Sequence, residues 1–167
     1  MRKMLLPALA VAVAVIVPNG VAVAQKETPT GVEVEKDLAL LRRNLRAEKK
    51  KVLAANLPLT ETEATKFWPI YDEYAAAMTK NYDEFYALIK EYAQKQKTIT
   101  DAEATAMIAK WADLQVKLTQ TRKNFIPNVQ RVISGRKAAL FFQIDRRLYA
   151  LMDLQISMQV PLMIQDK

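Results

Sequence analysis

From residue 32 onward, apolar residues recur along the chain at alternating steps of three and four. That spacing places them on one face of a helix. The first stripe predicts a helix from about Val32 to Ala55, and Pro58 ends it because the residue before a proline avoids the α region. With Glu48 occupying one slot, the apolar positions of this helix are Val34, Leu38, Leu41, Leu45 and Val52. Glycine is scarce and β-branched runs are few, so the pattern predicts an all-α fold.

The next two helices are predicted to begin with the same local device. Thr60 is followed by Glu63, and Thr100 by Glu103. In such a capping box the threonine oxygen accepts a free backbone N–H, while the glutamate reaches back to the N–H of the cap residue. We therefore predict long helices that start at Thr60 and Thr100.

Each of the last three helices carries its own apolar stripe. In the second helix, which ends near Lys97, the stripe is Phe67, Tyr71, Tyr74, Met78, Asn81, Phe85, Leu88 and Tyr92. In the third, it is Ala104, Met107, Trp111, Leu114, Leu118, Thr121 and Phe125. The fourth runs from about Ser134–Gly135 to Gln159, with Ala138, Phe141, Leu148, Met152 and Ile156 inward. Pro69 is expected to kink the second helix, and Pro127 to break or bend the third.

These elements predict an all-α, four-helix antiparallel hairpin-type bundle with long, Pro-kinked helices. Short connections make sequential helices antiparallel. The second and third helices should form a coiled-coil-like hairpin about 50 Å long, at about 1.5 Å per residue. A thin hairpin leaves apolar surface uncovered, so we expect a homodimer.

The first residues have the pattern of a secretory signal peptide. Arg2 and Lys3 precede the apolar run Met4–Val17, and Ala22-Val23-Ala24 offers a small-x-small cleavage site. A membrane anchor is the alternative, but the run is shorter than the ~20 residues that a spanning helix needs. The prediction is an exported, periplasmic protein that does not stay inserted in the membrane after cleavage. This division gives residues 1–24 as a cleaved signal peptide, 25–31 as a flexible N-terminal tail, and 32–167 as a single helical domain.

The composition narrows the possible chemistry. The sequence contains no His and no Cys, and therefore no imidazole base, no thiolate, and no nitrogen or sulfur metal ligand other than thioether. It has three Gly, and we find no Gly-rich phosphate loop. We predict a protein that is not an enzyme and takes no cofactor or metal.

Two sets of residues each have two possible interpretations, one functional and one structural. The first could ligate a soft metal or simply fill the core, and comprises Met152, Met158 and Met163. The second could act as an acid–base group or lie on a solvated helix face, and comprises Asp72, Glu73, Asp83 and Glu84.

Two further sets are candidate partner-binding surfaces. A basic face on the first helix could attract acidic segments of an unfolded protein, or could be an ordinary solvated surface, and comprises Arg42, Arg43, Arg46, Lys49 and Lys50. Tyr82 and Tyr86 lie beside the stripe of the second helix. They could form a partly wet binding surface, or pack in the core and a dimer interface.

The paired helix starts resemble the LTxxQ motifs of the Spy/CpxP-like periplasmic proteins. The segments Phe67–Tyr74, Phe141–Asp145 and Val160–Leu162 also resemble a branch of this group, so the resemblance covers about Leu57 to Leu162. The chain departs from the motif at Glu63 and Glu103, where the family has Gln, and at Ile99, where it has Leu. Glu serves a capping box as well as Gln does.

This resemblance implies a Spy/CpxP-like helical protein, often an antiparallel dimer with a curved face. Members of the family bind unfolded or misfolded envelope proteins without ATP, as holdase-like stress chaperones. Others regulate the periplasmic domain of an envelope stress sensor kinase, and some in the wider group sense metals. We therefore expect a chaperone, with the sensor-kinase adaptor and the metal-resistance sensor as alternatives. Nucleic acid is not an expected partner, because the protein is exported.

Overall fold

A computed structural model describes residues 48–160 together with residue 162. Every regular element in that part of the chain is an α-helix: α1 over residues 48–56, α2 Glu61–Lys95, α3 Asp101–Gln130 and α4 Gly135–Gln159. The predicted all-α fold with four helices is confirmed. The predicted signal peptide, the tail and the part of the first helix before residue 48 lie outside the described residues. Among the helices that are described, none combines the length and the apolar content needed to cross a membrane.

The α2 and α3 helices form the predicted antiparallel hairpin. The Tyr74 and Phe125 rings meet edge to face at 5.3 Å, and the Lys117 Nζ lies 2.5 Å from a Glu84 carboxylate oxygen. Residue numbers thus rise along α2 as they fall along α3, which defines an antiparallel pair. With 35 residues, α2 is about 52 Å long.

The α4 helix runs parallel to α2 and contacts it through long side chains. The Phe67 and Phe141 rings lie 5.2 Å apart near the start of both helices, and the Tyr82 hydroxyl bonds the Asp153 carboxylate at 3.2 Å farther along. Because α3 covers one side of α2 and α4 another, α2 is buried on two faces. The second face, which the single predicted stripe did not include, consists of Tyr82, Tyr86, Ile89 and Ala93.

The buried face of α1 is shifted by one position from the predicted face, so that Lys49 is buried in place of Glu48. Lys49, Leu53 and Leu57 are buried at steps of four, whereas Glu48 is exposed and Val52 is half-buried. The prediction that Glu48 occupies the inward slot is therefore wrong. A buried carboxylate on α4 holds Lys49 inside, as described below.

The α3 helix is covered less completely than its stripe predicts. Leu114 and Leu118 are buried, but Trp111 is 44% exposed, because α2 is the principal neighbour of α3. The helix continues past Pro127 to Gln130, so the proline does not break it. The α2 helix likewise continues without interruption past Pro69.

Both predicted capping boxes are formed. The Thr60 Oγ1 accepts from the Glu63 N–H at 3.3 Å, and the Glu63 carboxylate accepts from the Thr60 N–H at 2.8 Å. Thr100 and Glu103 repeat the arrangement with distances of 3.3 and 3.0 Å. Ser134 caps α4 through the Lys137 N–H. These caps fix where the helices start, and so they set the lengths of the connections.

Loss of either threonine cap should be measurable. We expect Thr60→Ala and Thr100→Ala each to lower the free energy of unfolding by about 1 kcal/mol, because a backbone N–H loses its acceptor. Urea denaturation followed by circular dichroism would measure this change. Thr62→Ala, an exposed helical position, is the control and should change stability by less than about 0.5 kcal/mol. Equal losses in all three variants would contradict a specific capping contribution.

Candidate functional site

The basic face predicted on the first helix is divided by the structure. Three members of that face lie outside the described residues, namely Arg42, Arg43 and Arg46. Lys50 is half-exposed and forms an ion pair with Asp72 at 2.7 Å. Lys49 is only 9% exposed and points into the bundle. The prediction that Lys49 lies on a solvated partner-binding face is therefore wrong.

Lys49 belongs to a buried polar cluster to which every helix contributes one residue. Asp145 of α4 is fully buried, and its Oδ1 lies 2.6 Å from the Lys49 Nζ of α1. The Tyr74 hydroxyl of α2 donates to Oδ2 at 2.5 Å, and the Arg122 Nε of α3 lies 3.7 Å from the same oxygen. We call Lys49, Tyr74, Arg122 and Asp145 the Asp145 cluster.

Tyr149 completes the surroundings of the two cations. The Lys49 Nζ lies 3.7 Å from the centroid of the Tyr149 ring, and the Arg122 Cζ lies 5.2 Å from it. The Tyr82 ring stacks on Tyr149 with centroids 4.7 Å apart and planes 4° from parallel. Desolvated cations over aromatic faces gain electrostatic energy from the ring quadrupole. The cluster therefore stabilises both cations by a carboxylate and by a ring.

Burial governs the protonation of this cluster. It lowers the pKa of Lys49, and the Arg122 charge adds to that effect, while the Asp145 carboxylate acts in the opposite direction. Burial, and then the Asp145 charge, raise the pKa of Tyr74 well above its ordinary value. Burial also raises the pKa of Tyr82 and of Tyr149. The tyrosines therefore stay neutral at physiological pH.

One position in the sequence does indicate this cluster. Asp145 lies four residues after Phe141 and three before Leu148, which places it on the predicted inward stripe of α4. A carboxylate at an inward position needs a partner, because an isolated buried charge is costly. Nothing in the local pattern identified Lys49 as that partner, since the pair forms only when α1 packs on α4.

A groove of about 310 Å³ opens beside the cluster, between α2 and α4 and next to α1. We call it the tyrosine groove. Among the described residues, its lining combines small residues and tyrosine rings, and includes Lys49, Lys50, Tyr71, Asp72, Ala75, Ala76, Thr79, Tyr82, Tyr86, Leu148, Tyr149 and Met152.

Tyr82 and Tyr86 line this groove but do not form the partly wet surface proposed for them. They are only 4% and 6% exposed. The Tyr82 hydroxyl bonds Asp153, and the Tyr86 hydroxyl lies 3.0 Å from the Met152 sulfur. Their expected position beside the stripe of α2 is an inward position, because α4 packs there.

The structure also locates the candidate acid–base carboxylates and the candidate soft-metal methionines. Asp72 and Glu84 pair with Lys50 and Lys117. Met152 is in the core, whereas Met158 is 78% exposed, and Met163 lies outside the described residues. Among the residues with described positions, no three carboxylates group closely enough to hold a metal ion.

Large apolar side chains remain exposed on two helices. The α3 helix presents Ile108, 64% exposed, Trp111 and Val116, 68% exposed. On α4 and just beyond it, the exposed apolar residues are Leu151, Leu154, Met158 and Leu162. Of these residues, Trp111 was predicted to lie on the inward stripe of α3, and Met158 was a candidate core residue or soft-metal ligand.

Comparison of the chain with protein-family models, curated proteins and solved structures gave no match.

Proposed function

We propose that this protein is a periplasmic, ATP-independent, holdase-like chaperone that binds unfolded or misfolded envelope proteins. The observation that carries the proposal is that α3 exposes three large apolar side chains within nine residues, those of Ile108, Trp111 and Val116. Large apolar side chains exposed near one another on a folded protein are typical of interaction surfaces. Unfolded chains expose apolar side chains that can be buried against it.

The charge of the chain supports the same kind of partner. The formal net charge is +7, or +5 with 23 basic and 18 acidic residues once the predicted signal peptide is removed. Exposed basic residues flank the apolar positions on both helices, including Lys110 on α3 and Arg146 and Arg147 on α4. Positive charge speeds the capture of acidic segments, and the attraction weakens as salt screens it.

The proposed client surface differs from the surface predicted from the sequence. Lys49, Tyr82 and Tyr86 contribute to the interior, while α3 offers the exposed aromatic and aliphatic groups. Trp111 is the largest of these side chains, and a half-exposed indole offers a large apolar area together with one donor.

Suppression of aggregation would test the proposal. The mature chain should reduce light scattering by several unrelated denatured proteins, and 0.5 M salt should weaken this effect. The triple variant Ile108→Ser, Trp111→Ser, Val116→Ser should need about tenfold more protein for equal suppression, equivalent to about 1.4 kcal/mol of binding free energy. The matched control replaces three exposed alanines of the same helix, Ala106→Ser, Ala109→Ser and Ala112→Ser.

Two outcomes would contradict the chaperone proposal. If the mature chain suppresses no aggregation but binds one sensor-kinase periplasmic domain, the adaptor function is the correct one. If the serine variant and the alanine control behave alike, the apolar surface of α3 does not bind clients.

A further inference from the structure

A second row of apolar side chains runs along the outer side of α4. This outer α4 stripe comprises Leu151, Leu154, Met158 and, just beyond the helix, Leu162. At about 100° per residue, the three helical members lie within about 60° of one another around the axis, nearly opposite the buried Met152 and Ile156. The α4 helix therefore has one apolar face toward the bundle and a second apolar face that remains exposed.

The stripe becomes more exposed toward the end of α4. Leu151 is 58% exposed, Met158 78% and Leu162 89%. Neighbouring side chains therefore do not enclose the stripe in a groove. Because its members share one side of the helix and stand free, a flat surface could contact all of them at once.

The exposed charges of α4 all have one sign. Arg136, Arg146 and Arg147 are exposed, and Arg147 lies four residues before the first member of the stripe, on the same face. The helix has two carboxylates: Asp145 is buried, and the half-buried Asp153 accepts a hydrogen bond from a tyrosine hydroxyl. An apolar helix face bordered by cations, without an exposed carboxylate on the helix, suits a partner that is both apolar and anionic.

A second copy of the chain fits this face less well. If two stripes paired antiparallel with Leu151 opposite Leu154, each Arg147 would face Met158 of the other copy. The arginine would lose water without gaining a carboxylate, which is costly. Lipid phosphates, by contrast, accept the two parallel hydrogen bonds that a guanidinium donates.

We propose that the outer α4 stripe adsorbs to the surface of a bilayer that contains anionic phospholipids. The apolar side chains enter the boundary between headgroups and acyl chains, while Arg146 and Arg147 bind lipid phosphates. The helix lies on the membrane and does not cross it. This inference does not depend on the chaperone proposal, because the proposed client surface lies on α3.

Co-sedimentation with vesicles would test the adsorption. The chain from Gln25 onward is the one to use, so that the apolar run Met4–Val17 cannot itself bind lipid. It should bind mixed phosphatidylglycerol–phosphatidylcholine vesicles at least ten times more tightly than phosphatidylcholine vesicles, and salt should weaken the binding. Arg146→Gln with Arg147→Gln should weaken it about 25-fold, because each basic residue near an anionic surface contributes about fivefold.

Two serine variants distinguish α4 from α3. Leu151→Ser with Leu154→Ser and Met158→Ser should weaken binding to the anionic vesicles at least tenfold, because the apolar contacts are lost. The matched control is the triple serine variant of the α3 client surface, which removes the same number of exposed apolar side chains. It should bind the vesicles as the natural chain does. Circular dichroism would establish that both variants are folded.

A fluorescent label gives a readout that changes only one residue. The natural chain contains no cysteine, so Leu154→Cys can be labelled with an environment-sensitive fluorophore. Its emission should at least double on anionic vesicles as the fluorophore enters the bilayer. The same fluorophore on Thr119→Cys, an exposed position of α3, should keep its emission unchanged.

Three results would overturn the proposal. The first is vesicle binding that neither the serine nor the arginine variant of α4 weakens, and the second is an unchanged emission at residue 154. The third is a chain that binds no vesicles and sediments as a dimer that the α4 serine variant dissociates, which would assign the stripe to a second copy.

Discussion

Replacement of Asp145 by asparagine is expected to lower the free energy of unfolding by about 3–5 kcal/mol, because it leaves a buried lysine without its counter-charge. The Lys49 ammonium lies 2.6 Å from the carboxylate and is almost fully buried, so little water is available to replace it. Asparagine keeps an oxygen to accept the Tyr74 hydroxyl, so the loss reports mainly on charge. Urea unfolding at pH 7 would measure it.

The double variant Lys49→Met, Asp145→Asn separates the charge pair from the packing. It removes both charges, and we expect it to recover at least half of the loss, because a buried pair often contributes little net stability beyond an apolar replacement. Asp72→Asn, which breaks the half-exposed pair with Lys50, is the matched control and should cost less than about 1 kcal/mol. If Asp145→Asn cost no more than Asp72→Asn, the Asp145 cluster would not hold the helices together.

Stability is expected to fall steeply above about pH 10. Burial raises the pKa of Tyr74, Tyr82 and Tyr149 in the folded protein, whereas in the unfolded chain each loses its proton near its ordinary pKa of about 10. Above that pH the folded state holds more protons than the unfolded state, so stability decreases as pH rises. Burial raises the pKa of Tyr71 in the same way. Four such groups together correspond to about 5 kcal/mol per pH unit.

Lys49 acts in the opposite direction over a lower range of pH. Its lowered pKa means that the unfolded chain holds the extra proton, so this group adds stability as pH rises toward about 10.5 and nothing further above that value. Denaturant midpoints between pH 9 and 11.5, read beside phenolate absorbance, would show the net effect. Tyr82→Phe should reduce the slope by about 1.4 kcal/mol per pH unit. Titration of all six tyrosines near pH 10 in a protein that remains folded would contradict this account.

The sequence was sufficient to predict the local starts and the hairpin. Thr60, Thr100 and Ser134 each carry their own signal, because a cap is satisfied by residues only three positions away. The inward stripe of α4 could also be predicted, since Ala138, Phe141, Met152 and Ile156 repeat at helical spacing, and all four are buried.

The second buried face of α2 could not be predicted from spacing alone. A stripe shows that a helix has one partner, but the number of neighbours around α2 depends on where α4 packs. Tyr82 and Tyr86 looked like excess aromatic residues for this reason. Lys49 was assigned to solvent because charged residues in a run are usually exposed. Its partner, Asp145, lies on another helix, and a pair between helices leaves no trace in local periodicity.

One carboxylate links two places that are far apart in the chain. The Glu63 side chain receives the Thr60 N–H, and it also lies 2.5 Å from the ammonium of Lys137, whose own backbone N–H is bonded to the Ser134 hydroxyl. The Glu63 carboxylate thus accepts hydrogen bonds from the starts of both α2 and α4. Fraying at one of these ends withdraws a partner from the other, so this pole of the bundle opens as one cooperative unit rather than as two independent helix tips.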